Sequence, residues 1–320
     1  MWRLRLAPEE THVNFLGARK PAAAASVLAA LASLALLFAM GLNFGIDFRG
    51  GTLIEVRTAE VADIGEIRGI VGALGLGEVA VQGFGGPRDV LIRVGVLPGE
   101  EGAAQMAAVQ TVREALAAAL PGSEIRRVEV VGPKVSGELI TAGALAIGLA
   151  VAAILVYIWL RFEWQFAVAA VIALVHDVVL TIGVFSVIQL EFNLAIIAAI
   201  LTIIGYSLND TVIVFDRVRE NLRKYKQTPL IEVLNLSINE TLSRTLMTSV
   251  TTLIALIALY VLGGEVLRGF TFAMIWGIVV GTYSSVFVAA ALLLWLGVKR
   301  DWSKPDAEGG PSGVQFGAQV

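Results

Sequence analysis

Six long apolar stretches, separated by polar segments, dominate the chain. Each is close to the roughly 20 residues that an α-helix needs to cross the hydrocarbon core of a bilayer. The stretches cover residues 22–42, 139–160, 165–188, 192–215, 244–262 and 270–296. Only one intervening segment is large, residues 43–138. The pattern predicts a polytopic α-helical membrane protein with six transmembrane helices and one sizeable domain between helices 1 and 2.

The large segment switches repeatedly between two periodicities. Strand-like runs with period two and helix-like runs with apolar residues three or four apart follow one another in the order βαββαβ. The runs cover residues 52–57, 64–74, 78–84, 89–94, 106–120 and 124–131. Asp63 and Glu66 form a capping box before the first helix. This order predicts a ferredoxin-like α+β domain, whose open sheet face or edge strand would contact a macromolecule.

Composition supports a membrane protein without an enzymatic site. Hydrophobic residues make up 57% of the chain and charged residues 16%, with a mean hydropathy of +0.78. The chain has no cysteine, so an exported domain would fold without disulfides. His12 and His176 both lie outside the domain, and the carboxylates of the domain are scattered. We therefore expect no metal site and no catalytic residues.

The distribution of Lys and Arg predicts the orientation of the helices. Short loops on the cytoplasmic side of a membrane are enriched in these residues. One set of helix ends carries nearly all of them: Arg3, Arg5, Arg19, Lys20, Arg161, Arg217, Arg219, Arg223, Lys224, Lys226, Arg244, Lys299, Arg300 and Lys304. The opposite short loops have only Arg268 nearby. Both termini are predicted to be cytoplasmic and the large domain extracytoplasmic.

The predicted organisation has a cytoplasmic N-terminal segment, helix 1, the extracytoplasmic domain, helices 2–6 and a disordered cytoplasmic tail. These parts are residues 1–20, 21–43, 44–138, 139–298 and 299–320. Helix 1 is interpreted as an uncleaved anchor, because its apolar run is too long for a signal peptide and lacks a small-x-small cleavage site. Within the helical part, a cytoplasmic loop at 216–243 is expected to contain a short amphipathic surface helix.

One acid, Asp210, lies inside the fourth apolar stretch. A carboxylate in hydrocarbon is costly unless it is paired, protonated or facing water, which makes it a candidate functional residue. Ser207 and Asn209 accompany it, while Arg244 begins the fifth stretch with Thr248 one turn further on. Asp210 and Arg244 are predicted to lie at similar depth as an intramembrane charged pair. The pair could be a fixed link between helices, or a proton relay with two states.

A second intramembrane acid, Asp177, follows His176 in the third stretch, with Thr181 one turn along. Asp177 could be a member of the relay or a polar packing residue, and the sequence leaves both interpretations open. Two intramembrane aspartates would also allow an aspartyl protease, in which a proton is shared between carboxylates. Neither aspartate lies in a glycine-flanked catalytic loop, and Arg244 disfavours such a dyad.

Small and polar residues predict helix contact faces. Gly205 is expected to permit close helix approach in the fourth stretch. A polar or small stripe in the fifth stretch is expected to face the bundle interior, and four-residue repeats in the sixth and second predict packing seams. The sets are Arg244, Thr248, Thr251, Thr252 and Ala255; Gly277, Gly281 and Ser285; and Ala142, Ala146 and Ala150.

Glycines also mark both connections of the domain to the membrane part. Gly50 and Gly51 precede its first strand, and Gly132 and Pro133 follow its last. Any movement of the domain must pass through these connections. They could be hinges or simply tight turns.

Six motifs stand out across the chain. They are GIDFRGGT at 45–52, VGPKV at 131–135, RFEW at 161–164, VHDV at 175–178, IGYSLNDT at 204–211 and DRVREN at 216–221. Together they resemble the SecF family, the smaller half of the bacterial SecD–SecF accessory complex of the protein-export translocon. The similarity extends over residues 42–299. The resemblance implies the resistance-nodulation-division superfamily, in which two six-helix halves pair in the membrane.

The resemblance implies a multi-pass protein of the bacterial inner membrane that needs a SecD partner. Such proteins are thought to use the proton-motive force to draw preproteins out of the SecYEG channel after the SecA ATPase has pushed them. Asp210 and Arg244 align with the charged pair of the family. A proton gradient is implied, and no cofactor, metal or nucleic acid.

Two other functions remain as alternatives. A half-transporter of the same superfamily would export lipids or small molecules, and would need a large apolar pocket in its outer domain. A scaffold would only hold other Sec subunits together, with Asp210 and Arg244 as a static link.

Overall fold

The computed structural model describes residues 11–97 and 103–298. Within these ranges, six helical segments are long and apolar enough to cross a membrane, which confirms the predicted number. They are Phe15–Met40, Pro133–Arg161, Trp164–Ile188, Leu194–Lys224, Leu230–Leu262 and Val266–Leu296. The basic residues predicted at Arg3, Arg5, Lys299, Arg300 and Lys304, and the predicted disordered tail, lie outside the described residues.

The helices of the membrane part are numbered in chain order together with those of the domain. They are α1 (Arg19–Met40), α2 (Ile46–Arg49), α3 (Ile64–Gly72), α4 (Ala103–Ala119), α5 (Pro133–Arg161), α6 (Trp164–Ile188), α7 (Leu194–Lys224), α8 (Leu230–Leu262), α9 (Glu265–Ser284) and α10 (Ala290–Leu296). A 3-10 turn at Phe15–Ala18 precedes α1, and a single π-helical turn at Ser285–Ala289 joins α9 to α10.

The segment between α1 and α5 forms the predicted βαββαβ arrangement. Its strands are β1 (Gly51–Arg57), β2 (Val79–Phe84), β3 (Gly86–Val94) and β4 (Glu124–Val131). They form one antiparallel sheet in the order β2-β3-β1-β4, with Ile54 of β1 opposite Ile92 of β3 and Val128 of β4. The Asp63 carboxylate accepts hydrogen bonds from the first turn of α3, which confirms the predicted helix start.

Alternate residues of the strands produce a hydrophobic core on one side of the sheet. Ile54, Val90 and Ile92 are fully buried there against Val71 of α3 and Val112 of α4. Full burial of such a side chain contributes about 1.5–3 kcal/mol. Burial on this face therefore stabilises the domain. Both α3 and α4 pack on it, so neither covers the other face of the sheet.

The open face of the sheet is directed at the membrane part. A cleft of about 450 Å³ lies between them, lined by Leu53, Leu91 and Arg127 from the sheet and by residues such as Asn193 and Phe270 from the helix bundle. The open sheet face, predicted to contact a macromolecule, thus faces the helix bundle of the same chain. The cleft between the two remains open.

The connection between α6 and α7 fastens the domain to the bundle. Phe192 donates its N–H to the Asn43 carbonyl oxygen at 2.8 Å and accepts from the Gly45 N–H at 2.9 Å. Arg93 on β3 forms an ion pair with Glu191, with 3.0 Å between Nη2 and Oε2. The domain is therefore held both by its covalent connections and by this loop.

Helices α7 and α8 extend far beyond their apolar stretches, so the predicted loop at 216–243 and its short surface helix are wrong. The connection covers only residues 225–229. Arg217 pairs with Glu240 at 2.7 Å between Nε and Oε2, and Asn221 donates to the same oxygen at 2.5 Å. The apolar residues Val233 and Leu234 are buried in the bundle. Their amphipathic pattern reflects packing of one helix on the other rather than contact with lipid.

The predicted seam in the last membrane segment is confirmed. A Cβ atom added to Gly277 would lie 2.4 Å from the Ile203 side chain, and one added to Gly281 would lie 3.0 Å from Ser207 Cβ. Helix α9 therefore approaches α7 closely only because these residues are glycine. By contrast, nothing lies within 4 Å of such an atom at Gly205, so its predicted role in close approach is wrong.

The predicted seam in the second membrane segment is also wrong. Ala142 is exposed and Ala146 and Ala150 are only half-buried. Gly143 is the buried contact instead, because an added Cβ there would meet Ile197 at 2.7 Å. The contact face of α5 is rotated by one residue from the predicted one. The sequence gives no signal of this orientation, because the helix is apolar on all sides.

Candidate functional site

Asp210 lies in the middle of α7, fully enclosed by the bundle. Its side chain is only 1% exposed, and neither carboxylate oxygen has a hydrogen-bond partner among the described residues. Burying an ionised carboxylate without donors carries the whole cost of removing it from water. A permanently charged carboxylate is therefore costly at this position in this conformation.

No hydrogen bond or ion pair joins Arg244 on α8 to Asp210 in the part of the chain that the structure describes. Arg244 is exposed, and its backbone carbonyl accepts from the Thr248 hydroxyl at 3.2 Å. The predicted charged pair is thus open in this conformation.

The predicted inward stripe of α8 is wrong. Thr251 and Ala255 are exposed like Arg244, whereas the buried face carries Thr245 and Ser249. Ser249 Oγ lies 2.8 Å from Thr282 Oγ1 of α9. The stripe is rotated away from the interior because both faces of α8 carry threonine and aliphatic residues, which leaves little contrast to orient the helix.

Asp177 of α6 is the centre of a buried polar cluster. Its Oδ2 atom accepts hydrogen bonds from the Ser207 hydroxyl at 2.6 Å and the Ser284 hydroxyl at 2.7 Å. Its Oδ1 atom lies 3.0 Å from His176 Nδ1. All four side chains are buried. Asp177 therefore joins three helices, α6, α7 and α9, which supports the packing interpretation.

His176 extends this cluster toward α1. Its ring stacks on Tyr283 with centroids 6.4 Å apart, and the Tyr283 hydroxyl lies 3.0 Å from Ser26 Oγ. His176 Nε2 is buried and has no hydrogen-bond partner among the described residues. The cluster thus ends on one side in a nitrogen that is able to donate or accept a proton.

Ser207 lies on α7, the same helix as Asp210, but contacts Asp177 of α6. It is three residues before Asp210, one turn of the helix away, yet its hydroxyl donates to Asp177. Asn209 is exposed on the outer face of the same helix and Thr248 is half-buried. Of the predicted supporting residues, only Ser207 and Asp177 come together.

Ser284 is part of the cluster but was missed by the sequence analysis. It comes directly before the π-helical turn Ser285–Ala289, and such turns occur frequently at functional sites. Neither feature has a local signal, because Ser284 lies 107 residues from Asp177 and resembles any small residue of a packed helix.

The glycines at the domain entry are fixed by geometry. Gly50 and Gly51 have φ angles of +72° and +115°. A Cβ atom on Gly51 would lie 2.4 Å from the Val94 carbonyl oxygen. At the exit, Gly132 has an ordinary φ of −74° with open space around it, and Pro133 is the first residue of α5. A tight turn explains the first pair, and the hinge role of all four residues remains a prediction.

These features define the class: a six-helix membrane protein with a small α+β domain outside the bundle and carboxylates buried among its helices. Residues 111–299 match the family model described as protein export membrane protein SecD/SecF, C-terminal, and residues 35–60 match the SecD/SecF GG motif. The chain belongs to the SecD/SecF family, as the motifs predicted.

Curated relatives match over nearly their whole length. The protein translocase subunit SecF of Cereibacter sphaeroides is 49% identical over 98% of each chain. The protein of the same name from Rickettsia akari is 46% identical over 92% of this chain and 94% of its own.

Solved structures of SecDF share the fold. The crystal structure of SecDF from Thermus thermophilus has a TM-score of 0.81 at 37% identity and covers 92% of this chain. A structure of SecDF in a super-membrane-facing form has a TM-score of 0.67 at 38% identity with the same coverage. The chain spans only 39% of the length of those SecDF chains.

Proposed function

We propose that this chain is the SecF subunit of the Sec protein-export machinery and that, with SecD, it uses the proton-motive force. It would promote late steps of preprotein movement through SecYEG, after the action of SecA. Its location would be the bacterial inner membrane, with both termini cytoplasmic and an extracytoplasmic domain of the ferredoxin-like class. Membership of the SecD/SecF family and the βαββαβ order support this proposal.

The observation that carries the proposal is the bare, buried carboxylate of Asp210. A scaffold would be expected to use Asp210 and Arg244 as a closed ion pair, and these side chains are apart. A proton relay instead requires an acid whose charge is not permanently compensated, so that protonation changes which conformation is favoured. Passage of one proton across 100 mV releases about 2.3 kcal/mol, enough to shift a two-state equilibrium by tens of fold.

Helix α7 offers a mechanical connection between this acid and the domain. The N–H of Leu194, the first residue of α7, donates to Asp47 Oδ2 at 2.9 Å, and Asp47 lies just before the domain. At 1.5 Å per residue, Asp210 lies about 24 Å along the same helix. A shift of α7 on protonation would therefore displace the anchor of the domain.

The two SecDF structures support a movement of this kind. They match the chain over the same 92% and at nearly equal identity, yet their TM-scores are 0.81 and 0.67. Since the identities of 37% and 38% are nearly equal, we interpret the difference in TM-score as two arrangements of the corresponding regions. We propose that the present chain alternates between such arrangements.

The exposed side of α8 is proposed as part of the SecD interface. Arg244 and Thr251 are exposed in the isolated chain, and an unpaired Arg in a membrane segment is costly. A second six-helix half packed there would cover both residues and give Arg244 an acidic partner. This arrangement agrees with the chain being 39% of a SecDF chain.

The decisive test replaces the acid without changing its shape. Asp210→Asn in the assembled complex should abolish the stimulation of preprotein export by a proton gradient, because the amide cannot take up a proton. Export is measured in membrane vesicles with and without an uncoupler. Glu232→Gln, at an exposed position in the first turn of α8, removes an equal charge and should retain full stimulation. Stimulation of Asp210→Asn equal to that of the unmodified complex would contradict the relay.

A further inference from the structure

A second charged site lies at the end of the bundle opposite the β domain. It is a shallow surface cavity of about 410 Å³, largely open to the outside, and every residue lining it is ionisable. The lining residues are Arg161, Asp216, Arg219, Glu220, Arg223 and Lys224. Four are cations and two are acids. None belongs to the buried polar site in the middle of the helices.

Two helix ends build this cavity. Arg161 is the last residue of α5, and the other five residues recur every three or four positions on one face near the end of α7. Arg219 donates from Nη1 to the Arg161 carbonyl oxygen at 3.1 Å. Arg161 Nη2 lies 3.3 Å from Asp216 Oδ1. The hydrogen bond to a backbone atom fixes the position of Arg219 relative to α5.

An aromatic platform orients both guanidinium groups. The Arg161 and Arg219 guanidinium carbons lie 5.2 and 5.9 Å from the centre of the Phe162 ring. Phe162 is buried and packs on Phe166 and Phe215, with ring centres 5.6 and 6.3 Å away. The planar groups are therefore held in place before any ligand arrives.

The charges of the cavity are not balanced within the described part of the chain. Glu220 is directed at Arg217, outside the cavity, with 2.7 Å between Oε2 and Nη1. Asp216 offers one partly exposed carboxylate to Arg161. Arg223 and Lys224 are exposed, and neither has an ion pair among the described residues. Even with both acids counted, the four cations leave the cavity with an excess of at least two positive charges.

The surroundings place the cavity at the depth of lipid headgroups. Trp159 and Leu160, just before Arg161, are 61% and 79% exposed, and Trp164 at the start of α6 is 53% exposed. Tryptophan is enriched at membrane–water interfaces, and apolar residues beside it face acyl chains. A basic pocket between transmembrane helices at this depth is suited to a lipid phosphate.

We propose that this cavity binds the headgroup of an anionic phospholipid of the cardiolipin class. The two phosphates of that lipid match the excess charge, and its acyl chains would lie along the exposed Trp159 and Leu160. Free phosphate could use the same cations, but would leave this apolar rim unused. Lipid binding at this cavity involves none of the residues proposed for proton coupling, and it is measured without transport.

The test uses the purified full-length chain in detergent. Native mass spectrometry with added cardiolipin, phosphatidylglycerol or phosphatidylcholine gives the affinity for each lipid. Cardiolipin should bind most tightly. Arg223→Gln with Lys224→Gln should weaken its binding by about tenfold to thirtyfold, since each cation near a lipid surface contributes about 1 kcal/mol. Both side chains are exposed, and Lys224 Nζ contacts only the neighbouring Tyr225 ring among the described residues, 5.1 Å from its centre, so the double variant should fold.

The matched control is Arg113→Gln with Arg126→Gln, two exposed cations of the β domain, which changes net charge equally. It should bind cardiolipin as the unmodified chain does. Equal weakening in both double variants would overturn the proposal, as would equal binding of cardiolipin and phosphatidylcholine. Displacement of cardiolipin by inorganic phosphate at equal concentration would also overturn it, because the site would then be one for free phosphate.

Discussion

Two aspartates lie inside the same helix bundle with equal burial and opposite surroundings. Asp177 and Asp210 are each 1% exposed. Asp177 has two serine hydroxyls and a histidine nitrogen around its oxygens, whereas Asp210 has no hydrogen-bond partner among the described residues. Equal burial therefore does not give equal surroundings, because the two acids differ in the number of hydrogen-bond donors directed at the carboxylate.

The difference follows from which helices meet at each depth. Asp177 faces the seam where α7 and α9 approach closely, and Gly281 permits that approach. Asp210 is one turn further along α7 than Ser207, beyond the reach of these hydroxyls. Tight packing thus brings donors to Asp177 and leaves both carboxylate oxygens of Asp210 without a donor among the described residues.

The largest expected effect comes from exchanging each acid for leucine. Asp177→Leu removes the acceptor of the Ser207 hydroxyl and a partner of His176, while Ser284 keeps its bond to the Gly281 carbonyl, so the free energy of unfolding should fall by about 2–4 kcal/mol. Asp210→Leu removes a bare polar group from an apolar site, so stability should stay equal or rise. Reversible unfolding of the full-length chain by sodium dodecyl sulfate in mixed micelles measures both.

Comparable losses in the two variants would break the comparison. That outcome would mean that Asp210 has partners in the folded state that its surroundings in this conformation do not provide.

Much of the architecture follows from local patterns. Apolar stretches of membrane length and period-two strands are properties of adjacent residues, so the six helices and the βαββαβ order could be predicted. The cap at Asp63 is equally local. The six motifs are also runs of adjacent residues, and together they predict the family that the comparisons show.

Contacts between distant segments could not be predicted in the same way. Ser284 donates a hydrogen bond to Asp177 across 107 residues, and no feature of the adjacent sequence predicts this contact. The inward face of α8 was misassigned because a membrane helix is apolar all round and gives a weak signal of orientation. The end of α7 lies nine residues beyond its predicted end at residue 215, because polar pairs such as Arg217–Glu240 join α7 to α8 past the apolar stretch.

A second prediction tests whether close packing supplies the donors. Gly281→Ala places a methyl group 3.0 Å from Ser207 Cβ, which should push Ser207 away from Asp177 and lower stability by about 1–2 kcal/mol. Gly205→Ala is the matched control on α7, where an added Cβ meets nothing within 4 Å. It should cause no loss, because alanine favours a helix over glycine. The same micelle titration measures the pair, and equal losses would remove the seam from the explanation.

A third prediction separates the donors of Asp177. Ser284→Ala and Ser207→Ala should each lower the free energy of unfolding by about 1 kcal/mol, since each removes one hydrogen bond to a carboxylate. Both hydroxyls donate to the same Oδ2 atom, so the double variant should deviate from the sum of the single effects. Strict additivity would indicate that the two hydroxyls do not share this acceptor in the membrane. Ser285→Ala, whose hydroxyl bonds only to the Thr282 carbonyl, is the control.

The smallest expected effect concerns a third carboxylate, Asp89 of β3, which is neither bare nor deep in the bundle. Arg57 holds it with two hydrogen bonds of 2.6 and 2.8 Å. This bond to Arg57 keeps the pKa of Asp89 below its usual value of 3.8. Because the pKa of Asp89 is lower in the folded state, the ion pair with Arg57 stabilises the domain fully above the unfolded-state pKa. This stabilisation is lost as pH falls through the folded-state pKa. Lowering pH from 5 to 3 should therefore reduce the stability of the domain slightly.

Asp89→Asn is the variant that isolates this contribution from other acids. It should be slightly less stable than the unmodified chain at pH 7, and the difference should shrink as pH falls below 4, because protonated aspartic acid and asparagine are both neutral. Amide hydrogen exchange of β1 and β3 in the full-length chain, compared at pH values corrected for the intrinsic exchange rate, gives the local stability. A difference that is constant with pH would mean that Arg57 binds the side chain without using its charge. The number of partners around a carboxylate would then determine its effect on stability only for Asp177 and Asp210, because an unpartnered charge is costly inside the membrane. It would not do so for Asp89, which water is able to solvate.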